Sequence, residues 1–302
     1  METKFKSSDD QLKQLVAERR QEVVRLQKSQ AEQIEKANKS GQTRMDQLKK
    51  SLPQDVVTFL DNQEKTHKEE QAAIESYTAE AKTSLSSIEV SPENITSIHP
   101  GLVEGHLLSD STNALALGWY SPYYATLHGS NGAVYWQGYN PGNFDLSDSA
   151  NGSGSGLFGS GSASFTVYLD WWFTFKAPEN RNYAHTIQVP FHGYYIIKAD
   201  DGFWDSKEAK ARIDLSAVGY QYNYKATGSS NVFDMGSQNI NVNDRFDGYR
   251  TMYYSDLLGA DQAYLRVTAS FYVYARGGGS TAQLNFSDGN ANYIGVPWVY
   301  IV

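Results

Sequence analysis

The sequence predicts a helical coiled-coil stalk over 1–86, a collar or linker over 87–113, and an antiparallel β-sandwich head, jelly-roll-like, over 114–302. Three observations carry this division. An 11-residue apolar repeat marks the first part, a period-two alternation marks the last, and the aromatics are segregated. All six Trp and 20 of the 21 Tyr lie after residue 91.

In the first part, one apolar row reads Leu12, Val23, Ile34, Met45 and Val56, and a second reads Leu15, Leu26, Ala37, Leu48 and Phe59. Rows three residues apart make a narrow stripe on a helix. Eleven residues over three turns is about 3.67 per turn, so the stripe runs nearly straight or supercoils slightly right-handed. Such a thin seam between Lys, Glu, Gln and Arg cannot build a core by itself, and self-association is the expectation. Pro53 interrupts the helix. Ser51 can cap a new one with Pro53 in its first turn, which would give a hairpin. Val56 and Phe59 keep the earlier phase, and this favours one kinked rod over the hairpin.

Pro and Gly break the helix beyond residue 86: Pro92, Pro100 and Gly101 punctuate the collar. Strand patterns follow. Phe165, Val167, Leu169, Trp171, Phe173 and Phe175 alternate with polar or wetter positions, as do Ile187, Val189, Phe191, Tyr195 and Ile197, with Gly193 in the same row. Leu265 to Ala275 alternates likewise, and these read as half-buried strands. Further strands are expected at 115–120, 133–139, 212–224, 239–246, 281–287 and 291–302, and a short helical turn at Lys207 to Ala211. Many strands with Gly, Asn and Asp turns and no alternating helices indicate a sandwich. The final strand is apolar on both faces, with Ile294, Val296, Trp298 and Tyr300 opposing Val299 and Ile301. Cover on both sides suggests a neighbouring subunit, and with the helical seam it points to a homotrimer. Residues 149–164 form a Gly/Ser-rich tract expected as a loop.

Charge and motifs narrow the function. Residues 1–90 carry 15 Lys+Arg against 16 Asp+Glu, and the remainder 11 against 18. An acidic head lacks the basic footprint that phosphate binding requires, so nucleic acid is not an expected partner. No apolar run is long enough to span a membrane, and Met1 to Asp10 shows no secretory signal. Cysteine is absent, which removes disulfides and thiolate metal sites.

Gly154 to Gly159 matches a dinucleotide-binding glycine pattern but has neither the strand before it nor the helix after it. Asn243 to Gly248 begins like a calcium loop but places Arg245 at a ligand position and Tyr254 at position twelve. Asp200, Asp201 and Asp205 could hold Ca²⁺, against the plainer reading of a turn in which Asp bonds its own backbone. No nucleophile–base motif is present, so no catalytic residue is assigned. Paired head carboxylates such as Asp170, Asp201, Asp205 and Asp214 leave glycoside hydrolysis as the residual enzymatic reading.

Aromatics on the wetter strand faces are the best functional signal. Tyr222, Tyr224, Tyr272, Tyr274 and Trp172, with Trp136 and Trp204, are the candidate ligand-binding residues. Flat rings among amides and carboxylates suit sugars; the plainer reading is packing against a second sheet or subunit. The expectation is a non-enzymatic attachment protein on a cell or particle surface, binding a glycan or another receptor. A toxin-like protein with rearranging helices and a purely structural component are the alternatives.

Overall fold

The computed structural model describes residues 8–62, 65, 87–90, 118–120, 122, 124–129, 134–140, 143–151, 161–199, 207–222, 224–238, 240–277, 279–286 and 293–302. Among these, helix α1 (Ser8–Lys49) is followed by a second helical segment over 54–62. The strands then run β1 (Ser87–Val90), β2 (Gly118–Tyr120), β3 (Tyr124–Gly129), β4 (Val134–Asn140), β5 (Asn143–Asn151), β6 (Ser162–Lys176) and β7 (Arg181–Lys198). They continue as β8 (Glu208–Gln221), β9 (Tyr224–Ser237), β10 (Asn241–Leu258), β11 (Gln262–Arg276), β12 (Thr281–Phe286), β13 (Tyr293–Gly295) and β14 (Val299–Ile301).

Two antiparallel sheets pack face to face. Sheet A has the order β1-β3-β6-β11-β8-β9. In sheet B, β7 pairs along its length with β10 on one side and with β14, β13 and β12 in succession on the other. β5 continues the sheet beyond β12 and β13, β4 pairs with β5, and β2 pairs with β14. The inward rows are the alternating ones read from the sequence. Val167, Leu169, Trp171 and Phe173 of β6 meet Ile187, Val189 and Phe191 of β7 in one core, with Leu265, Val267 and Phe271 of β11.

The stalk is corrected. α1 lies on the outer face of sheet A, and the described residues show no long coiled-coil stalk. Buried and half-buried helix positions run through 12, 16, 19, 23, 27, 30, 34, 38, 41 and 45, with 11, 15, 22, 48 and 49 flanking them; the main line has a 4-3-4 spacing that keeps one side of a helix turned one way. The sequence row Leu12, Val23, Ile34, Met45 belongs to that line, but Arg19, Gln27, Gln30 and Asn38 complete it. Leu26 and Phe59 of the second expected row are exposed. The partner of the seam is a sheet with polar groups of its own. Leu12 and Val16 cover Trp172, Val218, Tyr220 and Tyr264. Arg19 reaches Asp170, Gln30 donates to Ser164 and accepts from Thr166, and the Asn38 amide brackets Ser162 through its backbone N–H and C=O.

The kinked rod is corrected as well. Turn hydrogen bonds run from the Ser51 and Leu52 N–H groups to the Leu48 and Lys49 carbonyls. Lys49 then meets Asp61 at 2.6 Å, while Met45 and Leu60 are both buried. Twelve residues of continuous helix would separate that pair by about 18 Å, so the chain folds back at Pro53. Residues 66–86 of the expected stalk and 91–113 of the expected collar lie outside the described residues, and Ser87–Val90 is a strand paired with β3.

Other corrections are local. Glu208 to Ala211 opens β8, where a helical turn was expected. β9 was missed because a bulge at Val232 shifts the register between Ile213 and Asp214, which breaks the alternation on an otherwise polar edge strand. The doubly apolar C-terminal segment is covered within one chain. Ile294, Val296, Val299 and Ile301 enter the core, and Trp298 and Tyr300 lie against Trp119. The C-terminal segment and the Leu12 to Met45 line, two features that suggested a trimer, are thus covered within one chain, while Leu26, Val56 and Phe59 of the seam stay exposed.

Candidate functional site

The outer face of sheet B carries a shallow trough along β7. Its floor is the outward row Ala184, Thr186, Gln188 and Pro190. On one side stands the outward row of β10, in which Tyr249 is 62% exposed, Tyr253 76% and Leu257 62%. Register places Tyr253 beside Thr186 and Tyr249 beside Pro190. On the other side Tyr300 also pairs with Thr186, and Trp119 pairs with Tyr300. The Trp119 ring lies 5.0 Å from Tyr300 and 4.0 Å, edge-on, from Trp298. One row across the sheet is therefore Trp119, Tyr300, Thr186, Tyr253: large rings on both sides of a small hydroxyl.

Alternation explains the row. A β10 residue pointing outward leaves its neighbours pointing inward, so Met252 and Tyr254 are core while Thr251, Tyr253 and Ser255 face solvent. The described side chains lining the trough are uncharged. Charge begins at its margins, where Asp247 pairs with Arg245 at 2.6 Å and with His192 at 3.3 Å. Rings that keep an open face, beside hydroxyl and amide groups, can stack on an apolar ligand face and hydrogen-bond its edge.

The residues singled out from sequence are distributed elsewhere. Trp172 is corrected: it is fully buried under α1, stacked on Tyr220, and offers no surface. Tyr272 and Tyr274 share the outer face of sheet A, half-buried, with hydrogen bonds linking their hydroxyls to Ser164 and Ser162. Tyr222 occupies the β8–β9 hairpin at φ 51° with its ring 62% exposed, and its hydroxyl donates to Asp261 at 2.7 Å. Tyr224 and Trp136 lie in β9 and β4, with no description of their side chains. Trp204, Asp200, Asp201 and Asp205 lie outside the described residues. Among the described residues, no group of three or more His, Asp or Glu is placed to hold a metal. The trough residues were overlooked although Tyr249, Tyr253 and Leu257 stand four apart, which is one strand face, and Trp298 and Tyr300 two apart.

Two polar clusters are buried away from solvent. Within the core, His185 Nε2 lies 2.7 Å from Asp256, whose other oxygen accepts from the Tyr254 hydroxyl at 2.6 Å. Beneath α1, Asp170 accepts from Arg19 Nε at 3.0 Å and from Thr268, with Arg266 and His128 at about 4 Å. Burial opposes ionisation of Asp170, yet Arg19 and Arg266, with hydrogen bonds from Arg19 and Thr268, outweigh it and hold the carboxyl below the usual range. Burial pushes the hydroxyls of Tyr220 and Tyr272 up to about 12.

These directions fix the pH dependence. A depressed carboxylate stabilises the fold above its unfolded value of about 4 and loses that contribution on acidification below it. A raised tyrosine contributes below about pH 10 and loses its contribution as pH climbs from there toward 12. Thermal melts should therefore hold level between pH 5 and 9 with respect to these groups and fall on both sides. A melting temperature unchanged in Asp170→Asn across pH 2 to 5, relative to the parent, would remove Asp170 from this account.

No family model matches the chain, and no curated protein matches it. Solved structures similar to it include the enzymatically active domain of tailspike protein 4 of bacteriophage CBA120, at 11% identity and a TM-score of 0.20, covering 59% of this chain and 19% of that one. An isomalto-dextranase of Arthrobacter globiformis complexed with panose aligns at 10% identity and 0.19, over 73% and 33%. A family 35 carbohydrate-binding module from Cellvibrio japonicus aligns at 13% and 0.21, over 59% and 92%. The chain thus spans about a fifth of the tailspike domain and a third of the dextranase. Overlaps this slight carry no argument, and function must be read from the surface itself.

Proposed function

We propose that this protein is a non-enzymatic attachment protein whose β-sandwich binds a cell- or particle-surface glycan in the trough along β7. The observation that carries this reading is the row Trp119, Tyr300, Thr186, Tyr253, whose large rings rise from uncharged polar surroundings with Tyr253 three-quarters exposed. Sugar rings present C–H faces that stack on aromatics and hydroxyl edges that hydrogen-bond. Glycoside cleavage calls for two carboxylates about 5–10 Å apart across the scissile bond, and the described side chains of the trough supply none.

A glycan array probed with the intact chain tests the proposal. Neutral glycans should be bound, and binding should be insensitive to salt between 50 and 500 mM, because stacking involves no exposed ion pair to screen. Tyr253→Ala should weaken binding by about 1–2 kcal/mol, as aromatic anchors do at binding sites. Its melting temperature should stay unchanged, because the ring is exposed. Binding to no glycan on the array, or glycan binding undiminished in Tyr253→Ala, would refute the reading.

A further inference from the structure

The trough has a direction. Its floor follows one strand from Ala184 to Pro190, about 20 Å at 3.3 Å per residue. Its ridges stand on the two flanking strands, so their backbones lie about 10 Å apart. Rings rise from both ridges, Tyr249 and Tyr253 on β10, and Tyr300 on the other side with Trp119 beside it. The floor between them is low, because Thr186 and Gln188 are shorter than the rings beside them.

We infer that the ligand is an uncharged, unbranched polysaccharide segment lying parallel to β7 and occupying about four sugar units, a statement that rests on the carbohydrate reading above. Three features lead there. Length comes from the floor, which at roughly 5 Å per hexose in an extended chain holds about four units. Absence of branches comes from the ridges, since a substituent at the middle of the segment would meet Tyr253 on one side or Tyr300 on the other. Absence of charge comes from the lining: a carboxylate or sulfate set against these rings would lose hydration with no described cation to pair with it. The Arg245 guanidinium at the margin is already engaged by Asp247.

The test uses native gels of the full chain containing amylose or linear mannan, with polygalacturonate and heparin as the acidic arm. Oligosaccharides of one to six units from the retarding polymer are then titrated by calorimetry. Retardation by a neutral linear polymer is expected, with affinity rising at least tenfold from two units to four and level from four to six. Tyr253→Ala and Tyr300→Ala should each lower the four-unit affinity at least tenfold. A monosaccharide binding as tightly as the four-unit ligand, or preference for the acidic polymers, would overturn the inference while leaving a carbohydrate-binding protein. Retardation by none of the polymers would overturn this inference and the carbohydrate reading together.

Discussion

Asp170→Ala is expected to cost about 3–5 kcal/mol of stability, the range for breaking a buried ion pair by deleting one partner. The carboxylate is fully buried and answers Arg19 at 3.0 Å, and Arg266 lies 4.0 Å away. Removing it leaves two guanidiniums beneath α1 with Glu22 as the one carboxylate near them among the described residues, at 3.1 and 3.6 Å. The loss should appear first as detachment of α1, because the helix holds the sheet through Leu12, Val16 and this network. Hydrogen exchange would then show α1 amides unprotected while β7 and β11 stay protected. Asp170→Asn, which keeps an acceptor but not the charge, should fall between the parent and Ala in a denaturant titration. A loss below 1 kcal/mol for Asp170→Ala would show that α1 does not depend on the pair.

The inner row should respond as strongly for a different reason. Phe271 is fully buried between the sheets, in ring contact with Phe286 at 5.4 Å. Phe271→Ala should cost about 3–5 kcal/mol through lost transfer energy and the cavity left behind. Gly193 sits in the corresponding row of β7, where an added Cβ would run into the Asn285 carbonyl oxygen and the Phe286 ring. One of those obstacles is backbone and cannot rotate away. Gly193→Ala should therefore cost about 1–3 kcal/mol by overpacking, although the same exchange on an open strand would be neutral or better. Urea titrations give both values, with Tyr253→Ala as the silent control. Equal losses in all three variants would mean that the outer face of sheet B is not a free surface.

How much of this was legible in sequence depends on whether a pattern has one partner or two. The core rows of β6, β7 and β11 were readable, since period-two alternation has one solution when a strand has one buried face. The seam of α1 was readable as a period but not as an interface. An apolar stripe states that something covers it and does not say what. Only the polar members of the line, Arg19, Gln30 and Asn38, distinguish a sheet from a second helix, and their partners Asp170, Thr166 and Ser162 lie more than a hundred residues away. Trp172 was placed on a wet face because its alternation was correct and its cover was not. The same ambiguity affected the last strand, where Trp298 and Tyr300 suggested a subunit contact and instead stand beside Trp119, an assignment that needs the pairing of β14 with β2. The β10 tyrosines were legible by spacing alone, but that strand was drawn only as far as residue 246.

Binding of a glycan on sheet B and not on sheet A is tested by one comparison. The parent, the double variant Tyr253→Ala/Tyr300→Ala and the double variant Tyr272→Ala/Tyr274→Ala are run side by side on a gel containing the retarding neutral polysaccharide. The sheet B variant should migrate as if no polysaccharide were present, while the sheet A variant is retarded as fully as the parent. Free migration of the sheet A variant with undiminished retardation of the sheet B variant would contradict it.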